Sequence, residues 1–281
     1  MPTIQWYPGH IAKAEKKLKE QTSLVDIVLE VIDARIPLST SYENIEKLTG
    51  NKPRLIIINK ADLADPDLNP LWLNYLHEKT GMKAILTSSS NSADISSIIK
   101  IATELAKPQI DKLTAKGMLP RAVRAVVIGM PNVGKSSIIN KLIKTSKVKT
   151  GSKAGVTRSL QWVRINPKLE LMDTPGMIPV KLDNQDKAIR LAIVNSVSEK
   201  AYDYVEIAQE LLNIIFQRYP ELPVNYYKLE STEEPPTLSR IAKSRNWLLS
   251  GGEPDVNRAA STVLADFRHG RIGRITLEDV P

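Results

Sequence analysis

The 281-residue chain contains no cysteine, which excludes disulfides, cysteine-based zinc sites and thiol catalysis. Histidine is nearly as scarce: His10, His77 and His269 are scattered without metal-ligand spacing. No apolar run approaches the roughly 18 uncharged residues of a membrane-spanning helix. The opening Met1-Pro2-Thr3-Ile4-Gln5-Trp6-Tyr7-Pro8 has no basic leader followed by an apolar stretch. A cytoplasmic protein that avoids membranes is expected. Aromatics are sparse at 5%, but 42% of residues are hydrophobic and 25% charged, ordinary for a folded chain of about two domains.

The formal net charge is +8, and its distribution says more than its sum. Lys141, Lys144, Lys147, Lys149, Lys153, Arg158, Arg164 and Lys168 occupy a stretch with no acidic residue. A polyanionic partner is the economical reading; a solvated surface with an accidental bias is the alternative.

Short Val-, Ile- and Leu-rich runs alternate with longer amphipathic segments, which predicts an α/β fold: a mostly parallel sheet flanked by helices. Strands are expected at 26–32, 55–59, 84–87, 122–128, 162–165 and 169–172. Ile11, Ala14 and Leu18 share one helical face, as do Ile95, Ile98, Ile99 and Ala102. A linker is expected over 108–120. Beyond about residue 186 the pattern becomes helical, at 205–216, 238–249 and 256–267, with a connector over 231–236. The division expected is a nucleotide-type domain over 1–190 and a small all-helical domain over 191–281.

Gly129-Met130-Pro131-Asn132-Val133-Gly134-Lys135-Ser136 follows an apolar strand and opens a helical pattern, the context that makes a phosphate loop a mechanism. The loop from Pro131 to Ser137, through the backbone N–H groups of Asn132 to Ser137, and the helix dipole would face the phosphates. Lys135 would neutralise them and Ser136 would ligate Mg²⁺. Asp173-Thr174-Pro175-Gly176 closes the strand at 169–172, placing a carboxylate beside the metal and the Gly176 N–H near the last phosphate. Thr157 is the candidate second metal ligand of a switch.

Asn59-Lys60-Ala61-Asp62 ends the strand at 55–59. The Asp62 carboxylate can accept from N1–H and the exocyclic amine of guanine, a donor pair that adenine lacks; such a site can reject the wrong base by about 10⁴-fold. Lys60 would cover the ring face. In Thr87-Ser88-Ser89, at the next strand end, a backbone N–H would meet guanine O6. Nucleotides sit at such strand ends in open parallel sheets.

The base-reading motif precedes the phosphate loop, the reverse of the usual GTPase order, so the fold is circularly permuted. The cut falls in the region of the second switch, which returns Pro8-Gly9-His10 towards the phosphates. Met177 follows Gly176 where many GTPases have a water-positioning glutamine, and Met177 cannot orient water. His10 is the candidate replacement; the alternative is an exposed histidine at a helix start.

With Trp6-Tyr7-Pro8-Gly9-His10-Ile11-Ala12-Lys13-Ala14, Asp33-Ala34-Arg35, the phosphate loop, Pro254-Asp255-Val256-Asn257-Arg258-Ala259-Ala260 and 266–273, the chain resembles the bacterial ribosome biogenesis GTPase A family along its whole length. The resemblance implies a cytoplasmic enzyme that hydrolyses GTP to GDP and phosphate, assists late assembly of the large (50S) ribosomal subunit, contacts rRNA and ribosomal proteins, and is activated by the subunit. It also implies a catalytic histidine at His10 and a position, Asn132, that ligates K⁺ in some relatives. A monomer off the ribosome is expected. The alternatives are a switch acting on another RNA particle, or a nucleotide-gated scaffold with incidental hydrolysis. Arg258, Arg268, Arg271 and Arg274 form either an RNA-facing stripe or, for Arg268 together with His269, a helix cap. Trp247 and Phe267 read as core, and His77 as structural.

Overall fold

The computed structural model describes residues 4, 11–43, 45–88, 91, 93–145, 162–172, 176–177, 184–231 and 233–281. The sheet-forming part comprises α1 (Ile11–Ser23), β1 (Ile27–Asp33), α2 (Pro37–Thr40), α3 (Glu46–Thr49), β2 (Arg54–Asn59), α4 (Leu68–Thr80), β3 (Lys83–Leu86), α5 (Ala93–Ala115), β4 (Val123–Gly129), α6 (Lys135–Thr145), β5 (Trp162–Asn166), β6 (Leu169–Met172) and β7 (Gly176–Met177). Five α-helices follow among the described residues, α7 (Gln185–Ile193), α8 (Tyr204–Arg218), α9 (Glu221–Tyr227), α10 (Leu238–Ser244) and α11 (Val256–Arg268), with a 3₁₀ turn at Glu199–Ala201 between α7 and α8.

Every residue of β1 and β2 is buried, as near-continuous apolar strands covered on both faces must be. Each fully buried Ile or Leu contributes about 1.5–3 kcal/mol. The strand order is β3-β2-β1-β4-β6-β5, with β7 also paired to β4. Only β5 runs antiparallel, against β6; the other described pairings are parallel. Register aligns Asn59 with Asp33, Ile58 with Leu86, and Val31 with Gly129. The carboxyl ends of β3, β2, β1 and β4 therefore form one rim, and β1 separates the base-reading strand from the phosphate-loop strand.

The six expected strands fall within a residue of those observed. The linker expected over 108–120 is corrected: α5 runs through Pro108 to Ala115. An internal proline costs a helix about 3 kcal/mol, but Ile95, Ile98, Ala102 and Ala106 are buried along α5, and that packing outweighs it. The helix expected over 238–249 is also shorter. Asn246 takes a left-handed φ of 55°, Trp247 N–H returns to Ala242 O at 2.8 Å, and Leu248 pairs with Pro254 instead.

Four helices of the second half begin on side-chain caps: Asn184 for α7, Asp203 for α8, Thr237 for α10 and Asp255 for α11. Each accepts from backbone N–H groups that the first turn leaves unpaired. Their apolar faces join the core of the sheet: one buried cluster runs from Ile27 and Leu171 through Leu191 to Phe267. After α11 the chain returns to the sheet, and Leu277 N–H donates to Arg35 O at 2.8 Å.

Candidate nucleotide-binding site

Between Gly129, the last residue of β4, and Lys135, the first of α6, the phosphate loop is tied to the base-reading loop by side chains. Asn59 donates from Nδ2 to Val133 O at 2.9 Å, and its Oδ1 accepts from Thr87 Oγ1 at 3.1 Å. One amide thus links the ends of β2 and β3 to the loop. Gly134 has φ +102°, and a Cβ there would lie 2.1 Å from Asn59 Nδ2, so that approach requires glycine. Lys60, itself left-handed at φ 63°, donates to Asn132 O at 2.7 Å and to Asp33 Oδ2 at 2.8 Å.

Asp33 occupies the strand end between the two loops and is fully buried. Arg35 meets it through Nε at 3.0 Å and Nη2 at 2.8 Å. Burial alone would raise the Asp33 carboxyl, but the charges of Arg35 and Lys60 outweigh it and hold the group well below the usual carboxylate range. Arg35 also reaches Phe267 O at 3.5 Å and Arg268 O at 3.4 Å, and lies 5.1 Å from the Phe267 ring centroid. The end of α11 is thereby connected to Lys60. On the other side, Asn132 Nδ2 donates to Asn195 O, and Ser196 Oγ donates to Pro131 O at 2.6 Å. The turn after α7 clasps the phosphate loop.

Lys135 is buried and donates to Met130 O at 2.6 Å; burial pulls its pKa down to about 8. Ser136 and Ser137 are exposed in the first turn of α6, where N–H groups and the helix dipole attract anions. The Ser136 hydroxyl is a hard oxygen donor of the kind Mg²⁺ takes. Gly176, in β7, packs so closely that a Cβ would lie 2.6 Å from Leu18 Cδ1 and 2.7 Å from Ile128 Cγ2. The helix that begins at Ile11 therefore lies against β7. His10, Ser89, Thr157 and Asp173 fall outside the described residues.

Beside Asn59 opens a cleft of about 380 Å³ lined by Asp62, Asn69, Thr87, Ser88, Asn91 and Arg274 among others. Asp62 Oδ1 is buried and has no hydrogen-bond partner among the described residues. A buried carboxylate oxygen in that condition is costly unless a ligand supplies a donor. The expected role of the 87–89 segment narrows: Thr87 N–H is held by Ile58 O at 2.9 Å and Ser88 N–H by Asp94 Oδ2 at 2.8 Å. Ser89 lies outside the described residues.

The four arginines expected to form either a stripe or a cap all have partners within the chain, and Arg258, Arg271 and Arg274 remain exposed. Arg268 donates to Ile193 O at 2.8 Å and Ala192 O at 3.1 Å, capping α7 rather than its own helix. Arg271 pairs with Asp266 at 2.7 Å, Arg274 bonds the base-reading loop, and Arg258 lies over Trp247. His269 Nδ1 meets Ala265 O and His77 Nδ1 meets Met82 O, both local structural contacts. Phe267 is core and Trp247 packs against it partly buried. Sequence reading had no role for Arg35, Asn195 or Ser196. An aspartate and an arginine two residues apart at a strand end were the only signal.

A phosphate loop on one parallel strand, with an Asn-Lys-x-Asp loop two strands away and earlier in the chain, defines a circularly permuted P-loop GTPase. The 50S ribosome-binding GTPase family model matches residues 124–225. Ribosome biogenesis GTPase A of Bacillus cereus is 38% identical over 277 residues, spanning 98% of this chain and 93% of that protein. The Thermotoga maritima protein of that name is 30% identical over 275 residues, spanning 98% and 94%. The crystal structure of GNP-bound YlqF from T. maritima matches with a TM-score of 0.64 at 28% identity, covering 95% of this chain and 98% of that one. The chain belongs to the ribosome biogenesis GTPase A family and is a GTPase of ribosome biogenesis. Among the described residues no helix is long and apolar enough to cross a membrane.

Proposed function

We propose that the protein reads guanine through Asp62, holds the triphosphate between Pro131 and Ser137, and hydrolyses GTP during late assembly of the large ribosomal subunit in the cytoplasm. The Oδ1 of Asp62, which has no hydrogen-bond partner among the described residues and lines the cleft beside Asn59, carries the first part. Guanine offers that carboxylate two adjacent N–H donors, at N1 and the exocyclic amine, whereas adenine presents an acceptor at N1 and no amine at C2. Lys60 packs on the base, Lys135 and the α6 N-terminus meet the phosphates, and the Gly176 N–H senses the last of them.

Ser136, Thr157 and Asp173 are the residues that would hold Mg²⁺, which supplies charge neutralisation on the β- and γ-phosphates. With its amide nitrogen committed to Asn195, Asn132 retains an oxygen suited to K⁺. His10 directly precedes α1, and the packing of α1 on Gly176 supports a water-positioning role for it near the last phosphate. Ribosomal RNA is held by phosphate contacts along 141–168, so binding weakens steeply with salt, and the large subunit accelerates turnover.

Calorimetry tests the base assignment. Wild type binds GTP at least about 10⁴-fold more tightly than ATP, and Asp62→Asn exchanges guanine for xanthine preference, because the amide donates where the carboxylate accepts. Equal affinity of the wild type for GTP and ATP refutes it. His10→Ala leaves GTP affinity intact and removes turnover stimulated by large subunits; unchanged stimulated turnover eliminates the histidine.

A further inference from the structure

The segment after α11 does more than close the fold. Over 274–277 it runs beside the base-reading loop at 61–65 and bonds it repeatedly. Arg274 Nε donates to Ala64 O and Nη2 to Ala61 O, each at 3.0 Å. Ile275 N–H donates to Leu63 O at 3.0 Å, and Asp65 N–H donates to Thr276 Oγ1 at 3.1 Å. The two carbonyls that Arg274 grips flank Asp62, and Arg274 itself lines the cleft into which Asp62 faces. A guanidinium presents parallel donors in a rigid fork, so one side chain fixes the spacing of both carbonyls.

The segment is itself anchored in the helical region. Arg218, at the end of α8, donates to Thr276 O at 3.2 Å and Glu278 O at 3.1 Å, and Arg190 of α7 donates to Leu277 O at 3.3 Å. Tyr219 OH reaches across to Asp65 Oδ2 at 2.7 Å.

We propose that Arg274 is a positioning residue for guanine specificity, holding the Asp62 loop in its base-reading shape from the helical region; this rests on the reading in which Asp62 meets guanine. Guanine occupancy and docking of the 274–277 segment then stabilise each other, because coupling between sites is reciprocal. Arg274 is exposed, so its loss leaves the core intact.

The test uses the full chain and measures affinities for GTP, inosine triphosphate and ATP. Hypoxanthine keeps N1–H but lacks the exocyclic amine, so the preference for GTP over inosine triphosphate reports how squarely Asp62 meets the base. Arg274→Ala lowers GTP affinity about tenfold and shrinks that preference several-fold. ATP affinity and turnover at saturating GTP stay unchanged. Arg274→Lys, with a single donor group, falls between. A folded Arg274→Ala protein with the wild-type preference overturns the proposal while leaving the Asp62 assignment standing. Absence of any GTP preference in the wild type overturns both. Should Arg274→Ala fail to fold, Arg274→Gln, which keeps the stem and loses the fork, decides by the same ratio.

Discussion

Replacing Asp33 by asparagine removes an anion that two cations share. The side chain is fully buried, Arg35 beside it is 1% exposed, and both the Arg35 and Lys60 contacts measure 2.8 Å. Breaking a buried pair by removing one partner costs about 3–5 kcal/mol, because the remaining charge is left uncompensated. For a chain of this size each kcal/mol moves the melting temperature by roughly 2–4 °C, so Asp33→Asn unfolds on the order of 10 °C below wild type at pH 7. Lys60 loses one of its two anchors and keeps only Asn132 O, so release of a fluorescent guanine nucleotide accelerates as well. Because the folded carboxyl lies below its unfolded value of about 3.9, its contribution is present above that value and is lost as pH falls. The variant therefore shows a shallower loss of stability between about pH 5 and pH 2. Thermal melts across that range, with and without GDP, check all three points. A variant melting within about 2 °C of wild type refutes the idea that this ion group holds the rim together.

Gly134→Ala drives a methyl group into Asn59 Nδ2 and demands a left-handed φ; nucleotide affinity falls at least about 100-fold in a filter-binding assay. Lys135 titrates near 8 without a phosphate partner, and an anion beside it favours its charged form. GTP affinity consequently drops about tenfold per pH unit above pH 8, and a flat profile from pH 7 to pH 10 excludes this. Glu278 accepts from Leu38 N–H at 2.7 Å and from Ser39 through both N–H and Oγ. Glu278→Ala orphans those buried donors at a cost of about 2 kcal/mol in chemical denaturation, and amide exchange quickens over 274–278.

Strands and phosphate chemistry are legible in the linear chain because their determinants are local. An apolar run flanked by turns makes a buried strand wherever it sits, and the glycines of 129–134 form a recognisable local pattern, although the approaches of Val31 O to Gly129 and of Asn59 Nδ2 to Gly134 that require them come from other strands. The caps Asn184, Asp203, Thr237 and Asp255 act on N–H groups two or three residues ahead. The long arginines behave differently. Arg35, Arg268 and Arg274 bond carbonyls that lie far away in sequence, and a flexible cationic side chain takes whichever acceptors the packed chain delivers. Charge and spacing alone left an RNA-facing stripe and a helix cap both open for Arg258, Arg268, Arg271 and Arg274, whereas docking of α11 and its following segment gave Arg268 and Arg274 carbonyl partners elsewhere in the chain. Pro108 shows the same hierarchy: its local signal ends a helix, and the buried face of α5 overrides it. Local backbone chemistry thus named the nucleotide, while long-range packing chose which side chains hold the loop that reads it.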